Sequence, residues 1–155
     1  MKLVIFILFV LIPNFQDGRI INGKGYSGYI FSENHFVLKS ITDQKDRFSP
    51  TDEHILLAES IVESRIKETN TLNNQKNGCP IIHKNLNKYV RQYVGFINDN
   101  GDKIIWINFL WQKGMLQEEL KKDIISISDG CSYYWNIEVN IDSHNLTNMQ
   151  VNGRG

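Results

Sequence analysis

Apolar positions along this chain follow three different spacings. Leu3 to Ile12 is an unbroken apolar run of ten residues, preceded by Met1-Lys2 and followed by Pro13. From Ile55 the spacing becomes helical: Ile55, Ala58, Val62 and Ile66 form a stripe that Leu57 and Ile61 widen. From Tyr89 the period drops to two, over Tyr89 to Ile97, Lys103 to Trp111 and Tyr133 to Asp142. The three patterns predict an export signal, one amphipathic helix and an antiparallel sheet.

The first run is too short to span a bilayer, which takes about 20 residues. A basic start, an apolar block and a helix breaker read as a secretory signal over 1–17, with an uncleaved anchor as the alternative. Residues 18–28 hold four glycines and read as a flexible leader, leaving 29–155 as a single domain. Tyr29-Ile30-Phe31 and Phe36-Val37-Leu38 are candidate strands of a hairpin. The helix should begin with Ser49 as N-cap, Pro50 in the first helical position, and Asp52 and Glu53 in the first turn. Glu59, Glu63 and Lys67 are expected on its solvated side. It fades into the polar loop 70–78.

Asn100-Gly101 is a strong hairpin signal. A two-residue turn there pairs Phe96 with Ile105, Val94 with Ile107, Gln92 with Phe109 and Val90 with Trp111. That register makes one face almost wholly apolar, with Gln92 its only polar member. The other face pairs Gly95 with Trp106, Tyr93 with Asn108 and Arg91 with Leu110. Gly114 to Lys122 reads as a charged loop, with a short helical turn as the alternative, and Asp123 to Ser128 reads as a strand. In Tyr133 to Asp142 large apolar residues alternate strictly with polar ones and Tyr134, as in a half-buried strand. A loop of three or five residues before it would place Cys131 at or beside its tip. Leu146 to Asn152 is a plausible edge strand. The order predicts an α+β fold, one amphipathic helix packed on a curved antiparallel meander sheet of four to six strands.

That element order resembles the cystatin-like and NTF2-like families. Gln92-Tyr93-Val94-Gly95 resembles the Gln-x-Val-x-Gly loop of cystatin inhibitors but is one residue short and lies within a strand, so the inhibitory role is not carried over. Ser49-Pro50-Thr51 with Ala58-Glu59, Tyr89 to Gly95, and Asp129 to Trp135 resemble small exported proteins of Bacteroidetes with no assigned activity. That resemblance implies export and a shared fold, and no chemistry.

Composition narrows the chemistry. Seventeen basic residues balance seventeen acidic ones, so no net charge draws the chain to nucleic acid or anionic lipid. Ala58 is the only alanine and isoleucine dominates the apolar set, which favours sheet. Cys79 and Cys131 are an even pair, read as a disulfide in an exported protein; two partly buried thiols are the alternative. His35, His54, His83 and His144 show no metal-ligand spacing. Cys131 has no base or pKa-lowering group signalled nearby. Glu118-Glu119 are adjacent within a charged stretch with Lys121-Lys122 and read as solvated rather than as paired catalytic carboxylates. Asn145-Leu146-Thr147 matches a glycosylation acceptor that matters only in a eukaryotic secretory route. No catalytic residue, cofactor or metal is therefore assigned.

The remaining surface is the non-core face of the sheet, with Tyr89, Arg91, Tyr93, Trp106, Leu110 and Tyr134. Aromatics with an arginine are enriched in binding hot spots. The bland alternative is that these side chains pack under the N-terminal strands or the 114–122 segment. The sequence thus points to an exported, non-enzymatic binding or envelope-associated domain engaging a protein, peptide or glycan. An enzyme with a pocket between helix and sheet, or a secreted inhibitor, are the alternatives; the former requires an ionisable group inside that pocket.

Overall fold

A computed structural model describes residues 17–42 and 45–154. The expected signal segment lies, but for Asp17, outside them. The chain forms β1 (Arg19–Gly23), β2 (Tyr26–Phe31), α1 (Lys39–Thr42), β3 (Arg47–Phe48), α2 (Asp52–Thr69), β4 (Tyr89–Ile97), β5 (Lys103–Trp111), α3 (Gln117–Lys122), β6 (Tyr134–Asn140) and β7 (Asn145–Val151). The strands make one sheet in the order β1-β2-β4-β5-β6-β7, with β3 paired to β4 beyond the end of β2. The fold is α+β, as the pattern predicts. The pairing of β2 with β4 is parallel and all others are antiparallel.

Residues 18–28 are not a flexible leader. They supply β1, the turn and the first half of β2. Gly28 lets β2 approach β4 closely, because a Cβ there would lie 2.4 Å from the Arg91 carbonyl oxygen. Phe36 and Leu38 are exposed and form no strand, so the expected hairpin partner of residues 29–31 is β1 instead.

α2 begins two residues later than expected. Thr51 is the N-cap: its Oγ1 accepts from His54 N at 3.3 Å, and His54 Nδ1 accepts from Thr51 N at 3.3 Å. This is a capping box with histidine in the place usually held by glutamate. Ile55, Ala58, Val62 and Ile66 are fully buried against the sheet. Each isoleucine or valine contributes about 1.5–3 kcal/mol by leaving water.

The central hairpin closes one residue away from the expected register. Asn98 N donates to Asp102 O and Gly101 N to Asn98 O, while Asn98 Oδ1 accepts from the amides of Asn100 and Asp102. A three-residue loop results, with Gly101 at φ +86 as its left-handed residue. The pairs become Phe96 with Ile104, Val94 with Trp106, Gln92 with Asn108 and Val90 with Leu110. Gly95 therefore faces Ile105 and carries the Phe48 ring, not Trp106.

This register gives two packed faces. Under α2 lie Tyr89, Arg91, Tyr93, Ile105, Ile107, Phe109, Trp135, Ile137 and Val139. On the reverse lie Val90, Val94, Phe96, Ile104, Trp106 and Leu110, packed with Leu120 of α3 and with Ile41, Met115, Ile124, Ile125 and Ile127. Residues 117–122 form a helix rather than a loop. Residues 123–128 are not a strand but a strap across the reverse face. Side-chain amides hold it where a ladder would: Gln92 Nε2 donates to Leu120 O and Asp123 O, Ile125 N donates to Gln92 Oε1, and Asn108 Nδ2 donates to Ile125 O. Cys131 consequently sits in a short 3-10 turn, Cys131–Tyr133, at the head of β6 rather than at a hairpin tip. It is disulfide-bonded to Cys79, 52 residues away. The bridge ties the polar loop to the sheet and stabilises the fold by about 4 kcal/mol on the chain-entropy account.

Candidate functional site

The six residues expected on one free face are split between two. Tyr89, Arg91 and Tyr93 lie under α2 and are buried. Tyr89 donates to Ser132 O at 2.6 Å and meets Phe109, Trp111 and Trp135 edge-on. Trp106 and Leu110 belong to the reverse face and are also buried, with half-buried Tyr134 at their fringe. The loop's one-residue shift causes this split: Tyr93 faces Ile107 rather than Asn108, and Arg91 faces Phe109 rather than Leu110.

The helix face nonetheless holds a polar cluster. Glu59, expected in solvent, is 8% exposed. Its Oε2 accepts from Arg91 Nη2 at 3.3 Å and its Oε1 from the Tyr93 hydroxyl at 2.9 Å. Burial pushes the Glu59 carboxyl above the usual carboxylate range, while the Arg91 charge and the Tyr93 hydrogen bond pull it back down. Burial beside Glu59 also holds the Tyr93 hydroxyl well above its ordinary value. Arg91 Nη1 donates to Tyr89 O at 2.6 Å, and its guanidinium lies over the rings of Phe109 and Tyr26 at 5.1 and 6.0 Å. Arg91 Nε has no hydrogen-bond partner. Such a buried donor costs about 1–3 kcal/mol. The sequence did carry a signal for Glu59. It stands four residues after Ile55 and three before Val62, within the apolar stripe.

The open concavity lies on the reverse face, beyond the strap. There the outward positions of β6 and β7 are Asn136, Glu138, Asn140, Thr147, Asn148 and Gln150. They line two contiguous hollows of about 750 and 250 Å³ that share Ser40, Ile41, Glu138 and Asn148. Trp106 lines the smaller hollow, and its Nε1 donates to Asn136 Oδ1 at 3.3 Å. The charged groups of this trough are engaged within the protein. Lys45 Nζ pairs with Asp99 at 2.6 Å. Asp102 Oδ2 accepts from Asn98 Nδ2 and Asn140 Nδ2, and Glu138 Oε2 from Asn148 Nδ2 at 2.7 Å. What remains toward solvent is amide, hydroxyl, the exposed carboxylate of Asp99 and the rim of an indole. Among the described residues no group of three or more His, Cys, Asp or Glu side chains is arranged to hold a metal ion.

No helix of the described residues is long and apolar enough to cross a membrane. The disulfide is compatible with a location outside the cytoplasm. No protein-family model, curated protein or solved structure matches the chain.

Proposed function

We propose that this is an exported, non-enzymatic binding domain that takes a neutral glycan in the amide-lined trough. The single observation that carries the reading is the abrupt change along the reverse face. Over β4 and β5 it is mostly apolar and covered, with Gln92 and Asn108 holding the strap; over β6 and β7 it is amide-rich and open. Amides offer two donors and an acceptor each, which suits a ligand of many hydroxyls. The Trp106 rim supplies apolar contact with a polar handle. Three carboxylates against one ammonium leave the trough with no attraction for phosphate backbones. Addition of a peptide strand at the β7 edge fits less well. The β6–β7 pairing shifts register between Asn136 and Glu138, and Asn148 has φ +49, so the edge is bent out of regular pairing. Export is supported by the apolar N-terminal run and by the disulfide.

The test is a screen of the native protein against neutral and charged oligosaccharides, repeated with Asn136→Ala/Asn148→Ala. Saturable binding of a neutral glycan, weakened about tenfold in the double variant, is the expected result. No glycan binding, or binding indifferent to these two positions, would reject the trough.

An enzymatic reading is favoured by one observation: an ionisable group, Glu59, does line a cleft beside the helix. Both its oxygens are already held by Arg91 and Tyr93, which suits a structural charge better than a proton shuttle. A hydrolytic activity found on broad substrate panels and abolished by Glu59→Gln, with the fold intact, would favour the enzyme.

A further inference from the structure

The cleft on the helix side is independent of the trough and has a different chemistry. It opens between α2, the β1–β2 turn and the 3-10 turn Ile82–Lys84, holds about 620 Å³ and reaches Arg91 and Glu59. Arg91 is 1% exposed, yet its Nε–H finds no acceptor while Nη1 and Nη2 are bonded to Tyr89 O and Glu59. A buried charged donor beside a cavity calls for an acceptor from that cavity. Lys24 on the turn and Lys84 on the 3-10 segment stand on separate walls, and neither forms an ion pair among the described residues. Leu56, 63% exposed, and half-buried Leu86 add apolar lining to the same cleft.

These features select one kind of molecule. An acceptor is needed at Arg91 Nε, and two ammonium groups favour a negative one. Against these three cations stand Glu59 and Glu63, which leave a single positive charge and so match a monoanion better than a phosphate dianion. The leucines require an apolar body. We infer that this cleft binds a small monocarboxylate with an apolar tail, its carboxylate toward Arg91 Nε and the two lysines, its tail along Leu56 and Leu86. Glu59 fixes the guanidinium through Nη2, and Nε–H is left without a partner in a side chain that lines the cleft.

The experiment titrates isotopically labelled native protein with hexanoate, hexan-1-ol and inorganic phosphate, followed by NMR. Hexanoate should move the Arg91 Nε–Hε signal and the backbone amides of Lys24, Leu56 and Lys84 saturably at millimolar concentration. Hexanol and phosphate should act about tenfold more weakly. Lys24→Glu/Lys84→Glu changes two lysines with no ion-pair partner and should weaken hexanoate about tenfold, as should Leu56→Glu. No saturable shift with hexanoate, equal shifts with hexanol, or indifference to the lysine pair would each overturn the inference. Equal shifts with phosphate would reject the apolar requirement and with it the ligand class. None of these outcomes depends on whether the trough takes a glycan.

Discussion

The two faces of the sheet solve the same packing problem differently. Under α2 the face is covered along its length, and its buried Glu59–Arg91 pair lies at the foot of a cleft beside the helix. The reverse face is sealed over β4 and β5 by α3 and the strap, then left bare over β6 and β7. A helix covers by laying down a stripe of side chains. The strap cannot do this, and is instead pinned through its backbone by Gln92 and Asn108. Where the pins end, the cover ends, and the sheet turns from isoleucine and valine to asparagine. Burial thus gives way to an open, amide-lined hollow within a single sheet face, across about two strands.

The comparison can be broken hardest on the sealed face. Glu59→Ala should cost about 3–5 kcal/mol in urea unfolding, because it leaves the Arg91 charge buried and unpaired. Replacing both partners with methionine should recover most of that loss. A loss much below 1 kcal/mol for the single change would mean that the Arg91 charge is solvated through the cleft, and that the pair is not buried.

On the reverse face the strap is the weak element. Gln92→Leu removes the amide that serves three backbone groups and should cost about 1–3 kcal/mol. Hydrogen exchange should rise first in residues 120–127, with α2 protected as before. Uniform loss of protection would merge the two faces into one cooperative unit.

The start of α2 gives the sealed face a pH dependence. Burial, then the Lys103 charge, lowers the His54 pKa below its ordinary 6.5. The folded state therefore prefers neutral His54, whose Nδ1 accepts the Thr51 amide. This stabilisation is complete above the unfolded histidine pKa and is lost as pH falls through the lower, folded value. The loss should be at most about 1 kcal/mol, the worth of one cap. His54→Glu, which keeps a capping acceptor, should remove the dependence between pH 7 and the carboxylate range. A melting temperature that falls with acid equally in both proteins would show that His54 is not the group responsible.

Smallest of all should be the cost in the trough. Gln150→Ala, at an exposed amide of the smaller hollow, should change stability by about 0.5 kcal/mol or less, as for substitutions away from packed groups. A large loss would mean this amide is structural and the bare half is not free for a ligand.

How much of this was legible depends on how many faces each element buries. The α2 stripe and the alternation of β6 could be read directly, since each has one wet side. β4 and β5 could not be registered by pattern, because both of their faces are covered. Val94 faces a large apolar partner whether that is Ile107 or Trp106, and only one polar pair separates the registers: Gln92 meets Asn108 in the observed one and Phe109 in the slipped one. The deciding signal was local: the Asn98 side chain caps a three-residue loop. Arg91 and Tyr93 were misplaced by that slip. Glu59 was misplaced for another reason, that charge on a helix was taken for exposure although its spacing put it among Ile55, Val62 and Ile66. The trough was half legible. Asn136, Glu138 and Asn140 alternate visibly outward, but that Trp106 would join them depended on the register.

The most direct test is a paramagnetic relaxation experiment, with a neutral gadolinium chelate added to the labelled protein and side-chain amide signals followed. The account predicts that Asn148 and Gln150 broaden strongly and Asn136 measurably, while the Gln92 and Gln75 amides, buried in the protein, stay sharp. Sharp signals from Asn136, Asn148 and Gln150, or strong broadening of Gln92, would contradict it.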